Sequence, residues 1–192
     1  MVMAVIFVVL GIGLAHATEY TIDPTHSTVM FKVKHLGIST VTGRFDRFSG
    51  TFGFDQKKGT ASKAAATIEV ASIKTDMNDR DAHLRSADFF NAEQFPTMTF
   101  VSKAITNVTP KGFNLTGDLT IHGITRPVVL NVELGGAVKD PWGNERAAFT
   151  ASTTINRKDF GLTWNKVLET GGLLVGEDVH IMLELEGVAQ KK

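Results

Sequence analysis

The feature that most constrains this chain is a period-two alternation of apolar and polar side chains, repeated in eight rows. Successive residues of a strand point to opposite faces, so such rows mark strands with one dry and one wet face. Val29, Phe31, Val33 and His35 share one face of the first row, with Met30, Lys32 and Lys34 on the other. The segment from Thr40 to Phe54 counts as the second strand, with Phe52 and Phe54 pointing one way across Gly53. Ala66, Ile68 and Val70 form the third row, and Met98 and Phe100 the fourth. Phe113, Leu115, Leu119 and Ile121 make the fifth, interrupted by Gly117; Val128, Leu130, Val132 and Leu134 make the sixth. Ala147, Phe149, Ala151 and Ile155 follow, and Val179, Ile181, Leu183 and Leu185 close the series.

Turn chemistry separates the rows. Thr109-Pro110-Lys111-Gly112, His122-Gly123 and Asp140-Pro141-Trp142-Gly143-Asn144 are short connections, which imply antiparallel neighbours. One stretch breaks the alternation. From Thr75 to Phe95 the spacing is irregular and polar, which predicts one or two helical turns between strands three and four, with Asp79 or Asp81 as cap. Eight antiparallel strands with one apolar face either close into a barrel or fold into a sandwich, and closure removes exposed edges. An eight-stranded barrel is just wide enough to be filled by side chains or to hold one small ligand. The small residues Ala66, Gly117, Ala147 and Ala151 on the inward rows favour a cavity.

The remaining composition narrows the function. Hydrophobic content is 43%, enough for a real core, and twenty basic side chains balance twenty acidic ones. That balance points to neither nucleic acid nor an anionic membrane surface. There is no cysteine, so disulfides and thiolate metal sites are excluded. Residues 1–14 are apolar and uncharged, and Ala15-His16-Ala17 has the small-x-small pattern of a signal-peptidase site. The expectation is a signal peptide over 1–17, a periplasmic product and one domain over 18–192. An apolar run of this length is too short to span a bilayer, so stable membrane insertion is not expected.

Three constellations carry possible chemistry. The histidines His26, His35, His83, His122 and His180 show no helical i, i+4 pair, and a metal site needs several converging ligands; no metal is expected. Asp23, His26 and Ser27 suggest a triad, but adjacent His26 and Ser27 on an extended segment point apart, so strand-entry hydrogen bonding accounts for them better. Arg80, Asp81, His83 and Arg85 form the densest polar cluster, with Arg157 and Asp159 beside Phe160 and Trp164 as a second. Each is either a head-group site, since Arg binds phosphate in bidentate fashion, or an internally paired plug closing the barrel.

Four segments resemble the YceI-like family. They are Asp23-Pro24-Thr25-His26-Ser27 running on to Val41-Thr42-Gly43-Arg44-Phe45; Arg80-Asp81-Ala82-His83-Leu84-Arg85-Ser86 with Asp88-Phe89-Phe90-Asn91 and Phe95-Pro96; Gly117-Asp118-Leu119-Thr120-Ile121-His122-Gly123-Ile124-Thr125-Arg126-Pro127; and Ile155-Asn156-Arg157-Lys158-Asp159-Phe160-Gly161-Leu162 with Trp164, ending at Val175-Gly176-Glu177-Asp178. The resemblance implies an all-β, extended, eight-stranded antiparallel barrel of lipocalin-like form. Its tunnel would hold a polyisoprenoid chain, such as a prenyl pyrophosphate or a quinone tail; some relatives hold fatty amides. Tunnel lining would then come from Phe31, Val33, His35, Phe52, Ile68, Phe100, Leu119, Phe149, Ala151 and Trp164. Head-group contacts would come from Arg80, His83, Arg85 and Arg157. Each buried CH₂ contributes about 0.8 kcal/mol gross, so the tail supplies the affinity. The expected function is a carrier or store of such a lipid, with no cofactor and no catalysis; an enzyme acting on a lipid is the alternative. The expected partner is the lipid alone, and a homodimer is an assembly open to the barrel.

Overall fold

The computed structural model describes residues 17–55, 60–167, 169 and 171–190. The expected leader, but for Ala17, lies outside them. The chain forms β1 (Thr18–Ile22), β2 (Thr28–His35), β3 (Ser39–Phe45), β4 (Phe48–Asp55), β5 (Thr60–Glu69), β6 (Ile73–Lys74), helix α1 (Asn78–Arg85), β7 (Thr97–Thr109), β8 (Gly112–Ile121), β9 (Ile124–Lys139), β10 (Glu145–Asn156) and β11 (Val175–Ala189). Every pairing is antiparallel. The sheet closes because β11 bonds β10 on one side and both β2 and β1 on the other, and β1 bonds β4.

Three of the eight long strands are broken. β1 and β2 are one strand kinked at residues 23–27, β3 and β4 one strand kinked at Asp46-Arg47, and β5 and β6 one strand interrupted by a 3₁₀ turn at Val70–Ser72. Counting each pair once, the ring is an eight-stranded closed barrel. The kinks have local partners. Ser27 lends its hydroxyl to the Glu186 carbonyl (3.2 Å) and accepts from the Glu186 N–H (2.9 Å). Ser72 does the same for the second break, accepting from the Arg47 N–H at 3.0 Å. Buried main-chain groups left by a broken ladder are thereby satisfied.

The dry faces converge as the alternation predicts. β8 has the burial pattern of a two-faced strand along its whole length, with Phe113, Leu115, Leu119 and Ile121 inside. One end of the barrel is closed by rings. Tyr20 stacks on Phe52 at 5.2 Å, and Phe149 stands edge-on to Phe52 (5.0 Å) and Phe54 (5.1 Å). Such pairs contribute about 0.5–1.5 kcal/mol each beyond their area. Gly187 makes room for them, since a Cβ there would lie 2.6 Å from the Phe52 ring.

The opposite end carries α1, the β2–β3 hairpin, the His122-Gly123 turn and residues 157–167 and 171–174. There the β9–β10 ladder stops at Asn131 and Ser152. The 3₁₀ turn Arg157–Phe160 fills the gap, tied to β9 by the Arg126 Nε–H, which donates to the Asp159 carbonyl at 3.1 Å.

Candidate functional site

The barrel encloses a cavity of about 220 Å³. It runs from the ring-closed floor at Phe52 and Phe149, past Phe100, Leu119 and Ile181, to Leu84, Phe89, Phe90, Phe160 and Leu162 at the other end. The two walls differ. Leu115, Leu119, Ile121, Val128, Leu130 and Val132 on β8 and β9 are buried. The inward row Val179, Ile181, Leu183 and Leu185 on β11, with Phe31 and Val33 on β2, is half-buried although it faces inward. Among the described residues, Thr51, Thr153 and Arg157 alone bring side-chain nitrogen or oxygen to the lining. The volume is below the roughly 300–1,000 Å³ usual for drug-sized ligands, so the space suits a slender chain.

Eight of the ten expected lining residues border this cavity: Phe31, Val33, Phe52, Ile68, Phe100, Leu119, Phe149 and Ala151. His35 and Trp164 do not. The inner row of β2 leaves the cavity after Val33, and His35, paired with Ser39 and Val175, lies beyond the rim. Trp164 packs on the cap, 4.7 Å from the His83 ring and 5.0 Å from Phe89. The small residues divide likewise. Ala66 and Ala151 border the space, but Gly117 does not widen it: a Cβ there would sit 2.4 Å from Phe100 Cζ, so the ring already fills the gap. Ala147 is buried outside the lining.

Of the four expected head-group residues, Arg157 alone reaches the cavity. It is 4% exposed, and its guanidinium donates to the carbonyls of Gly176 (2.9 Å), Leu162 and Val175 (3.5 Å). Burial pushes its pKa down and Glu177 pulls it back up; an Arg stays charged regardless. The other three build the cap. Arg80 donates from Nε to Thr75 Oγ1 and from Nη2 to the Thr75 carbonyl, both at 2.7 Å. Thr75 donates in turn from N–H (2.7 Å) and hydroxyl (2.6 Å) to Oδ1 of Asp81, which is 1% exposed. The plug therefore joins Arg80 to Asp81 through Thr75 rather than directly. Neither Asp79 nor Asp81 caps α1: both lie inside the helix, whose N-cap Met77 makes no side-chain bond, and the Asp81 carboxylate accepts both Thr75 bonds on Oδ1 while its buried Oδ2 has no hydrogen-bond partner among the described residues. His83 pairs with Asp88 at 2.9 Å and stands edge-on to Phe89 and Trp164. Arg85 is half-buried outside the lining.

At the floor end the expected triad is dissolved. His26 Nδ1 meets Asp23 Oδ2 at 2.9 Å, but the Ser27 hydroxyl is engaged with Glu186 main chain. A cluster invisible in the linear sequence takes its place: Asp23, His26 and Glu186 bring their ligand atoms within 4.8 Å of one another. A cation already sits among them. Arg146 Nη1 bonds Asp23 (3.0 Å) and Glu186, and its Nε bonds Asp140 (2.9 Å). Bonds from the Thr25 hydroxyl and His26 outweigh burial and hold the Asp23 pKa far below the usual carboxylate range. For Asp140 burial pushes up, but Arg146 and Asn144 together bring it down to about 2.

This closed barrel has known counterparts. The YceI-like domain model matches residues 20–187. A UPF0312 protein of Pseudomonas putida (strain W619) is 40% identical over 184 residues, covering 95% of this chain and 92% of its own. The crystal structure of the Campylobacter jejuni YceI protein superposes with a TM-score of 0.73 at 33% identity, over 82% of this chain and 90% of that one. A polyisoprenoid-binding domain from Saccharophagus degradans, implicated in plant cell wall breakdown, has the same fold, with a TM-score of 0.64 at 20% identity over 89% of this chain and 98% of its own. The chain belongs to the YceI-like family.

Proposed function

We propose that this protein is exported and carries or stores a long apolar lipid, with a polyisoprenoid tail lying in the barrel and its polar end near Arg157. The observation that carries this reading is the cavity itself, apolar from the floor to the cap with one guanidinium at its far end. An isoprene unit buried there contributes roughly 3–4 kcal/mol gross, and a few units exceed the ordering costs of binding. The polyisoprenoid-binding protein of the same fold supports the tail class. Binding rather than turnover is favoured because, among the described residues, the lining holds two threonines and an arginine but no base beside a nucleophile. Among the described residues no helix is long and apolar enough to cross a membrane.

Protein expressed with its leader should start at or near Thr18 in the periplasm. Organic extraction of that material and mass spectrometry should release one prenyl lipid per barrel. Protein that yields no lipid, and whose melting temperature does not change with added prenyl lipid, would overturn the assignment.

A further inference from the structure

Beyond the rim of the cavity, apolar side chains continue into solvent. The last lining residues on the two paired strands β2 and β11 are Val33 and Val175. The exposed large apolar side chains beyond them are Leu36 and Ile38 in the hairpin tip, and Leu173 with Val167 in the facing loop. These two segments are one surface: the Leu36 N–H donates to the Leu174 carbonyl at 2.9 Å, and Val167 bridges Leu173. Ile38 is 84% exposed and Val167 74%. Leu36 is held at φ +54°, a conformation that favours Gly or Asn, so an apolar side chain is displayed where turn sterics oppose it. Lys34 and Lys166 flank the patch, exposed and without an ion pair among the described residues; Glu169 is the carboxylate in the same loop.

We propose that this rim is a docking surface for an anionic phospholipid bilayer, from which the bound lipid is collected and to which it is returned. Apolar tips flanked by unpaired lysines match the interface of such a bilayer, where apolar side chains enter the acyl boundary and cations meet the head groups. The patch adjoins Val33 and Val175, the last lining residues on these strands, so a tail leaving the bilayer there has a short path to the cavity once the cap opens. The inference rests on the lipid-binding reading but is separable from it. Trp142, 81% exposed on the turn at the ring-closed floor end, provides an internal control, since docking there would present the sealed end of the barrel.

Flotation with vesicles of phosphatidylcholine, with and without phosphatidylglycerol, tests this. The same preparations, loaded with a fluorescent prenyl alcohol, give the rate of lipid pick-up, and the probe added from ethanol gives binding without a membrane. The native protein should float with phosphatidylglycerol vesicles. Ile38→Glu combined with Val167→Glu should cut vesicle partitioning and pick-up rate by about tenfold or more while leaving binding from ethanol unchanged. Lys34→Glu combined with Lys166→Glu should do so for the anionic vesicles, and Trp142→Ala should behave as native. Failure of the native protein to float, or loss on Trp142→Ala but not on the rim changes, overturns the docking surface. Loss of binding from ethanol in the native protein would instead refute the lipid-binding reading.

Discussion

Replacing Ala151 with Trp separates a barrel that holds a tail from one that is merely packed. Ala151 borders the cavity on β10, between Val132 of β9 and Leu183 of β11. Overpacking costs about 1–3 kcal/mol, and the 220 Å³ of free space keeps the strain at the low end. The ligand-free protein should therefore melt within a few degrees of the native one. The bound form is where the change tells. Ligand at a hundred times its Kd stabilises by about 2.7 kcal/mol, and 1 kcal/mol moves Tm by about 2–4 °C in a chain of this size. Native protein should gain about 5–10 °C with a prenyl lipid, and Ala151→Trp should gain none. Thr150→Trp, one residue away on the outer face, should keep the native gain. A ligand-induced shift that survives Ala151→Trp would place the ligand outside the barrel and refute the reasoning.

Gly117→Ala should cost about 1–3 kcal/mol in urea unfolding, because the new methyl meets both the Phe100 ring and the fixed Val101 carbonyl at 2.6 Å; an unchanged midpoint would show that the ring moves freely. Asp23 and Asp140 are more acidic folded than the ordinary 3.8, so the unfolded chain takes up protons first and the clasp's stability is lost as pH falls. The urea midpoint should drop between about pH 4 and 2, and Asp140→Asn should flatten that slope. Because Arg146 already neutralises Asp23 and Glu186, thermal melts with and without a chelator should coincide; a drop of many degrees on chelation would place a metal in the clasp.

The inward rows were legible because barrel strands obey a strict period of two, and the cavity lies along those rows. Eight rows gave eight strands even though the chain breaks three of them, since each break preserves the direction of the strand. The misplacements share a cause. Alternation assigns a face but not a height, so His35 was grouped with Val33 although the cavity ends between them. Gly117 suggested a gap because period says nothing of what crosses from the neighbouring strand, here Phe100. Trp164 lies in irregular backbone and the Arg80–Arg85 cluster on the short helix α1, where the period of two does not apply and tertiary contacts decide direction. The Asp23–Arg146–Glu186 clasp was out of reach altogether, since closure of β1 on β11 brings its members together from opposite ends of the chain.

Closure also fixes how selectivity must be divided. The floor is a stack of Tyr20, Phe52, Phe54 and Phe149, tight enough that Gly187 cannot bear a side chain, so a tail cannot leave by that end. Affinity should then rise with each isoprene unit only until the tail meets Phe52 and Phe149. Longer chains must leave their remaining units at the cap, where the barrier is of another kind. The cap is held by Arg157 on three carbonyls, by the Arg80–Thr75–Asp81 chain, and by His83 against Trp164. These contacts are polar or edge-on; the Arg80–Thr75–Asp81 chain and the His83–Trp164 contact lie outside the ladder and can open without unpairing a strand, whereas Arg157 is anchored to the first residues of β11. Under the proposed function, length would be sensed at the rigid end and exchange controlled at the yielding one. A chain-length series should show binding affinity reaching a plateau while the off-rate remains sensitive to changes at His83.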